Sequence, residues 1–197
     1  MARVKICGLR RHKDIEIVNE CLPDYVGFII NYPKSFRSVS VRQVQEMVRE
    51  LDPSIQAVGV FVDEEIENVI SCIKETGIDI VQLHGHESDD YIRTLQQYVP
   101  VIKAFVIRNE RDIQEALKSP ADFILLDQGK GSGKSFDWSL IPRIERPYFL
   151  AGGITLDNIE KIKGIEPYGI DVSSSCETER VKDKEKVKLM IEKGKMV

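Results

Sequence analysis

The sequence has few cysteines and few histidines, no long apolar run, and no large excess of charge of either sign. Its 197 residues include four cysteines, none in a CxxC pair, and that scarcity excludes a disulfide-dense secreted module. No apolar stretch approaches the roughly 18–20 residues that a membrane span needs. Met1 leads straight into Ala2-Arg3-Val4-Lys5-Ile6, without the apolar h-region of a signal peptide. Lysine and arginine total 28 against 32 aspartates and glutamates, a formal net charge of −4. That mild acidity argues against nucleic acid as a partner. From these absences we expect a cytoplasmic protein with reduced thiols that partners neither membrane nor nucleic acid.

What is present is ordinary for a globular chain, with 42% apolar and 30% charged residues. At this length one domain over residues 1–197 is the leading expectation and two small ones the alternative. A single core of this size buries most of its apolar surface without a disulfide or metal staple.

The dominant pattern is alternation. Short β-branched or aromatic runs predict eight strands at 4–7, 25–30, 56–62, 80–83, 101–106, 123–127, 148–151 and 169–173. Most are apolar along their length, as in a parallel sheet buried on both faces. Amphipathic stretches between them predict helices at 13–20, 40–51, 63–76, 88–98, 111–117, 155–162 and 183–193, with a short turn at 138–144. Ser40 and Gln43 form a capping box, and Gly77 stands where a helix would end. Eight βα units without a linker predict an α/β fold, a single-domain (β/α)8 TIM barrel with short loops. A doubly wound open sheet would leave about three strands unused.

In such a barrel, chemistry sits at the C-terminal ends of the strands. Gly152-Gly153 after the seventh strand allows close backbone approach to a ligand, and Thr155 is placed to cap the helix that follows. Ser173-Ser174-Ser175 ends the eighth. Together they suit phosphate, although the glycine pair alone could serve only a tight βα turn. Residues 129–135 read GKGSGKS, but three residues separate Gly129 from Gly133 where a P-loop has four. A cationic lid over an anionic substrate or a solvated surface loop both fit.

Cys7 and Asp127 end the first and sixth strands and so face each other across the mouth, as an acid/base pair would. Lys5 points to the same side as Cys7 and could lower its pKa. Packing for Cys7 and helix capping for Asp127 are the structural alternatives. Arg37 could grip a carboxylate with its fork. His84 and His86 form an H-x-H pair. With three histidines in the chain and no obvious third ligand, we read no metal there, and count His84 with Arg37 as substrate-binding. Cys21 and Cys72 fall on helices, and Cys176 follows the serine cluster.

These segments, taken in order, resemble the phosphoribosylanthranilate isomerase family. The resemblance rests on Lys5-Ile6-Cys7-Gly8, Gly27-Phe28, Tyr32-Pro33-Lys34-Ser35 with Arg37, Val58-Gly59-Val60-Phe61-Val62, and Gln82-Leu83-His84-Gly85. It continues through Leu125-Leu126-Asp127, Gly133-Lys134-Ser135-Phe136-Asp137-Trp138, Leu150-Ala151-Gly152-Gly153-Ile154, and Gly169-Ile170-Asp171-Val172-Ser173-Ser174. It implies an enzyme of tryptophan biosynthesis that converts N-(5′-phosphoribosyl)anthranilate from aminoaldose to aminoketose, an Amadori rearrangement, with no metal and no organic cofactor. It makes Cys7 the base at C2′ and Asp127 the acid at the ring oxygen. Arg37 would engage the anthranilate end, and Gly152, Gly153, Asp171, Ser173 and Ser174 the phosphate end.

The chain departs from the family pattern at Phe36, where proline is usual, and at Ser175, where glycine is usual. The segment from Asp127 to Gly133 is also shorter. Two other functions fit a barrel of this kind: another phosphosugar isomerase or lyase, and a silent barrel that binds a phosphorylated ligand.

Overall fold

The computed structural model describes residues 1–129, 138 and 141–197. The GKGSGKS segment beyond Gly129, and residues 139 and 140 of the turn expected at 138–144, lie outside the described residues. In chain order the elements are β1 (Arg3–Cys7), α1 (His12–Cys21), β2 (Tyr25–Ile30), β3 (Ser38–Val39), α2 (Val41–Glu50), β4 (Gln56–Phe61), α3 (Ile66–Thr76), β5 (Ile80–Leu83) and α4 (Asp89–Leu95). They continue with β6 (Val101–Val106), α5 (Glu110–Lys118), β7 (Phe123–Asp127), β8 (Tyr148–Ala151), β9 (Gly169–Val172), β10 (Glu177–Thr178), β11 (Val181–Lys182) and α6 (Lys184–Gly194).

Eight parallel strands close in the order β1-β2-β4-β5-β6-β7-β8-β9, with β9 returning to β1. The closing register pairs Lys5 with Tyr25 on one side and with Asp171 on the other. Inward and outward positions alternate along each strand. Val58, Ile80, Ile102, Leu125 and Phe149 fill the barrel interior. Their neighbours Ala57, Val81, Val101, Ile124, Leu126 and Leu150 join the larger core that includes the buried helix faces.

The interior changes character along its axis. Near the strand starts it is aromatic: Tyr25, Phe123, Phe149 and Tyr168 stack edge-on or tilted, with ring centroids 5.1–5.8 Å apart. Toward the strand ends it holds Lys5, Gln82 and Asp171. The starts are also tied by a repeated device. Asp24, Asp79 and Asp122 each stand one residue before a strand, and each accepts a backbone N–H from the barrel strand before it. The acceptor distances are 2.9 Å to Val4, 2.8 Å to Ala57 and 2.8 Å to Val101.

The helices follow the amphipathic pattern with local exceptions. Residues 63–65 are not helical, because Asp63 is left-handed at φ 49° and its carboxylate accepts the His86 N–H. In place of the helix expected at 155–162 there is only a 3-10 turn, Ile159–Ile162, with Gly164 at φ 93° and Pro167 close behind. The two-residue strand β3 and the β10–β11 hairpin were not anticipated from the pattern. The hairpin turns on Glu179 and Arg180, at φ 50° and 63°; two left-handed central residues are what a type I′ turn requires. Among the described residues no helix is long and apolar enough to cross a membrane.

At the start of α2 the capping box forms. The Ser40 Oγ accepts the Gln43 N–H, and Gln43 Oε1 accepts the Ser40 N–H at 2.9 Å. Ser40→Ala is expected to lower the unfolding free energy by about 1 kcal/mol, read as a shifted midpoint in urea. An unmoved midpoint would show that the cap contributes nothing.

Candidate active site

A cavity of about 530 Å³ opens at the C-terminal ends of the strands. Cys7, Arg37, His84, Asp127, Gly152, Gly153, Asp171, Ser173 and Ser174 all line it. These nine residues therefore meet in one place, although the chain separates the first from the last by most of its length.

One wall carries the thiol. Cys7 ends β1, opposite Gly27 of β2. A Cβ on Gly27 would fall 2.7 Å from the Cys7 Sγ and 3.0 Å from the Lys5 Nζ, so only glycine leaves room for both. Lys5 has no exposed surface, and its ammonium donates to the Asp171 Oδ1 at 3.0 Å. Burial alone would pull that ammonium down, but the Asp171 carboxylate and the Cys7 sulfur together hold Lys5 above the ordinary lysine range. Asp171, expected at the phosphate end, lines the cavity with its carboxylate turned to this cation. Its carboxylate serves a buried cation, and a carboxylate repels a phosphate dianion. Expecting Lys5 to bring the thiol toward neutrality needs correction. Burial pushes the Cys7 thiol up, Lys5 and Lys182 pull it down, Asp171 pushes it up, and the balance lies above the ordinary thiol value.

The facing wall carries the carboxyl. Asp127 ends β7, and the His84 Nε2 approaches its Oδ2 to 3.4 Å. His84 thus sits against the acid rather than standing alone in the cavity. Gly152 makes this possible. It is left-handed at φ 85°, and a Cβ there would lie 2.5 Å from the Asp127 Oδ1. His86 turns away from His84 into solvent and pairs with Asp63 at 3.2 Å, so the H-x-H spacing does not bring the two rings together. The loop between them is held from below. Lys103, itself buried, donates to the Gly85 carbonyl at 2.6 Å and to Glu87 at 2.9 Å.

Arg37 reaches over from the loop after β2. Its Nε and Nη2 each donate to Glu177 at 2.7 Å. Two of the five guanidinium N–H donors are thus committed, leaving the other three. Gly8, at φ 83°, admits this side chain, since a Cβ there would meet the Arg37 Cδ at 2.4 Å. Phe36, in place of the family's proline, lies under the guanidinium at 4.2 Å from ring centroid to Cζ.

Lys182 braces the same corner, donating to Glu177 at 2.9 Å and to the Ser173 carbonyl at 3.0 Å. Ser173 donates its hydroxyl to the Cys7 carbonyl at 3.0 Å. Gly153 and Ser174 are exposed on the neighbouring loops. Ser175 falls in the 3-10 turn Ser174–Cys176 and does not have a positive φ, so serine replaces the family's glycine without strain. Thr155 is not a helix cap. Asn158 instead pins the turn, accepting the Thr155 N–H at 2.8 Å and donating to the Gly153 carbonyl at 2.7 Å.

Three residues of this site were missed in the sequence: Gln82, Glu177 and Lys182. Gln82 lines the cavity, is 1% exposed, and its Oε1 has no donor among the described residues. A lone amide on an apolar strand, two residues before His84, was the available signal. Glu177 and Lys182 sit on two-residue strands that have no periodicity to read.

The geometry has close counterparts among known proteins. The model of a family described as N-(5′phosphoribosyl)anthranilate (PRA) isomerase matches residues 4–193. A protein named N-(5′-phosphoribosyl)anthranilate isomerase from Thermoanaerobacter pseudethanolicus is 40% identical over 201 residues, covering 98% of each chain. The crystal structure of phosphoribosyl anthranilate isomerase from Thermotoga maritima matches over 100% of each chain, with a TM-score of 0.92 at 38% identity. A phosphoribosyl anthranilate isomerase in complex with reduced 1-(o-carboxyphenylamino)-1-deoxyribulose 5-phosphate matches over 100% of each chain, with a TM-score of 0.89 at 36% identity.

The Glu177 corner yields a pH prediction. Burial alone would raise the Glu177 carboxyl, but hydrogen bonds and charge from Arg37 and Lys182 hold it below the ordinary carboxylate range. Its stabilisation is fully present above the unfolded value of about 4.3 and is lost as the pH falls through the lower folded value. Glu177→Gln is expected to lower the unfolding free energy by about 2 kcal/mol near neutrality. The gap from wild type should narrow in acid. Denaturant titrations from pH 7 downward check this, and a gap that stays constant would contradict it.

Proposed function

The chain belongs to the N-(5′-phosphoribosyl)anthranilate isomerase family and is an aldose–ketose isomerase of tryptophan biosynthesis; from that premise we propose that Cys7 and Asp127 carry its proton transfers. The observation behind this reading is that the two line opposite walls of one cavity whose rim is the exposed Gly153 and Ser174. The substrate is a small molecule with a phosphate at one end and an aromatic carboxylate at the other.

The proposed chemistry runs in two stages. Asp127 gives a proton to the ribose ring oxygen as the anilino nitrogen donates its lone pair, so the C1′–O bond breaks and an iminium forms. The iminium acidifies C2′. The Cys7 thiolate takes the C2′ proton, and the C2′–H electrons form the C1′=C2′ bond and neutralise the nitrogen. The resulting enolamine tautomerises to the aminoketose. His84, against Asp127, steadies the acid while the ring opens.

The remaining residues orient the substrate. Arg37 offers the anthranilate carboxylate the donors that Glu177 leaves uncommitted. Gly153 and Ser174 take the phosphate through backbone N–H groups and the Ser174 hydroxyl. Ser173 supports that loop, since its hydroxyl is given to Cys7. The base step needs a free thiol, which suits a cytoplasmic setting.

Purified protein should consume phosphoribosylanthranilate, followed by the loss of its fluorescence, and release the aminoketose. Cys7→Ala and Asp127→Ala should each cost about 10²–10⁴ in rate while keeping the wild-type circular dichroism and melting profile. Normal turnover in either folded variant removes that residue from the mechanism. Tight binding without product in the wild type would favour a silent phosphate-binding barrel.

A further inference from the structure

Lys5 has no surface in contact with water and is not among the residues that line the cavity. Such a residue needs a reason to be charged. One is the ion pair with Asp171, 3.0 Å away across the seam between β1 and β9. The other lies on its own strand. The Cys7 Sγ and Lys5 Nζ stand 2.7 and 3.0 Å from the same point, the place a Gly27 side chain would occupy. They can be no further apart than those two distances laid end to end. That is inside the range of about 4–6 Å over which a charge favours its opposite.

The charged groups that act on this sulfur are Lys5 from β1, Asp171 from β9 and Lys182 from β11. Lys182 is committed to Glu177 and to the Ser173 carbonyl, and Asp171 works against a thiolate. Lys5 is the cation placed to serve one.

We propose that Lys5 is a positioning residue for the proton abstraction: its ammonium, fixed in the lumen by Asp171, is the ion-pair partner that stabilises the Cys7 thiolate as it forms and aims it into the cavity. The proposal rests on the reading of Cys7 as the base. Lys5 does not touch substrate and transfers no proton. It supplies a fixed positive charge where water has been removed, and the low-dielectric surroundings strengthen its effect.

Carbamidomethylation of Cys7 by iodoacetamide tests the pair without any turnover. The full chain is treated across a pH series, and the Cys7 peptide is quantified by mass spectrometry, apart from those of the other three cysteines. Lys5→Gln removes the charge but keeps a donor for Asp171. The double variant Lys5→Met with Asp171→Asn removes both charges, so no buried ion is left alone. In Lys5→Gln, alkylation at neutral pH should slow by about tenfold, and the rising limb of the rate should move to higher pH; the double variant should slow by less, because losing Asp171 removes a charge that opposes the thiolate. The rising limb of kcat/KM should move with it. Alkylation at the wild-type rate in either folded variant overturns the proposal, because a lysine that only fills space would not move the sulfur's ionisation. Normal turnover by Cys7→Ala would instead remove the base assignment and leave the alkylation profile intact, so the two failures are distinct.

Discussion

Stripping an ammonium of its water costs several kcal/mol unless a counter-charge meets it at contact. Lys5 is in that position, closed inside the barrel, and the upper half of the lumen is arranged around it. Asp171 faces it from β9 at 3.0 Å. Gly27 gives up its side chain so that the ammonium and the Cys7 sulfur can occupy the space beside β2. Ser173, two residues after Asp171, hydrogen-bonds to the Cys7 carbonyl. The opposing influences on Lys5 are settled in favour of charge, because Asp171 and Cys7 together offset the penalty of burial. The pair is a poor source of stability, since such pairs roughly break even against apolar packing. Its value is a fixed field at one point.

The two ends of the barrel divide the work. At the strand starts, rings of Tyr25, Phe123, Phe149 and Tyr168 close the interior, and Asp24, Asp79 and Asp122 stitch successive units together by accepting backbone N–H groups. At the strand ends, charged and polar groups replace the rings, and glycines at 8, 27 and 152 make room for them. Apolar area and satisfied backbone carry the first end. The second carries buried charges held by partners far away in the chain.

That division also explains what could be read in advance. The eight strands were legible because a strand buried on both faces has to be apolar nearly throughout, and 80–83, 123–127 and 148–151 match β5, β7 and β8 residue for residue. Cys7 and Asp127 stood out because the fold puts function at strand ends. Asp171 stood out for the same reason, but its partner did not. Nothing in local spacing says that a carboxylate at 171 will answer an ammonium at 5. The helix expected at 155–162 had the right apolar spacing, yet it shrank to a 3-10 turn where Asn158 claimed the backbone groups of Thr155 and Gly153. Glu177 and Lys182 were invisible because a hairpin of two-residue strands carries no period. The repeated aspartates were present in the sequence, but as single residues of a common type, and only the shared partner marks them as one device.

Two of the ion pairs around the cavity join the first third of the chain to its last thirty residues. Lys5 and Asp171 are separated by 166 positions, and Arg37 and Glu177 by 140. Neither can form before β9 and the hairpin beyond it have been synthesised and folded into place. A chain emerging from the ribosome can bury apolar surface unit by unit, yet its cysteine has no lysine-and-aspartate setting until the ring shuts. Loss of the segment that carries β9 and α6 would open the ring, take Ile170, Val172, Val187, Met190 and Ile191 out of the core, and orphan a cation in the lumen. The site therefore doubles as a latch, and a closed latch means the whole circle has been completed.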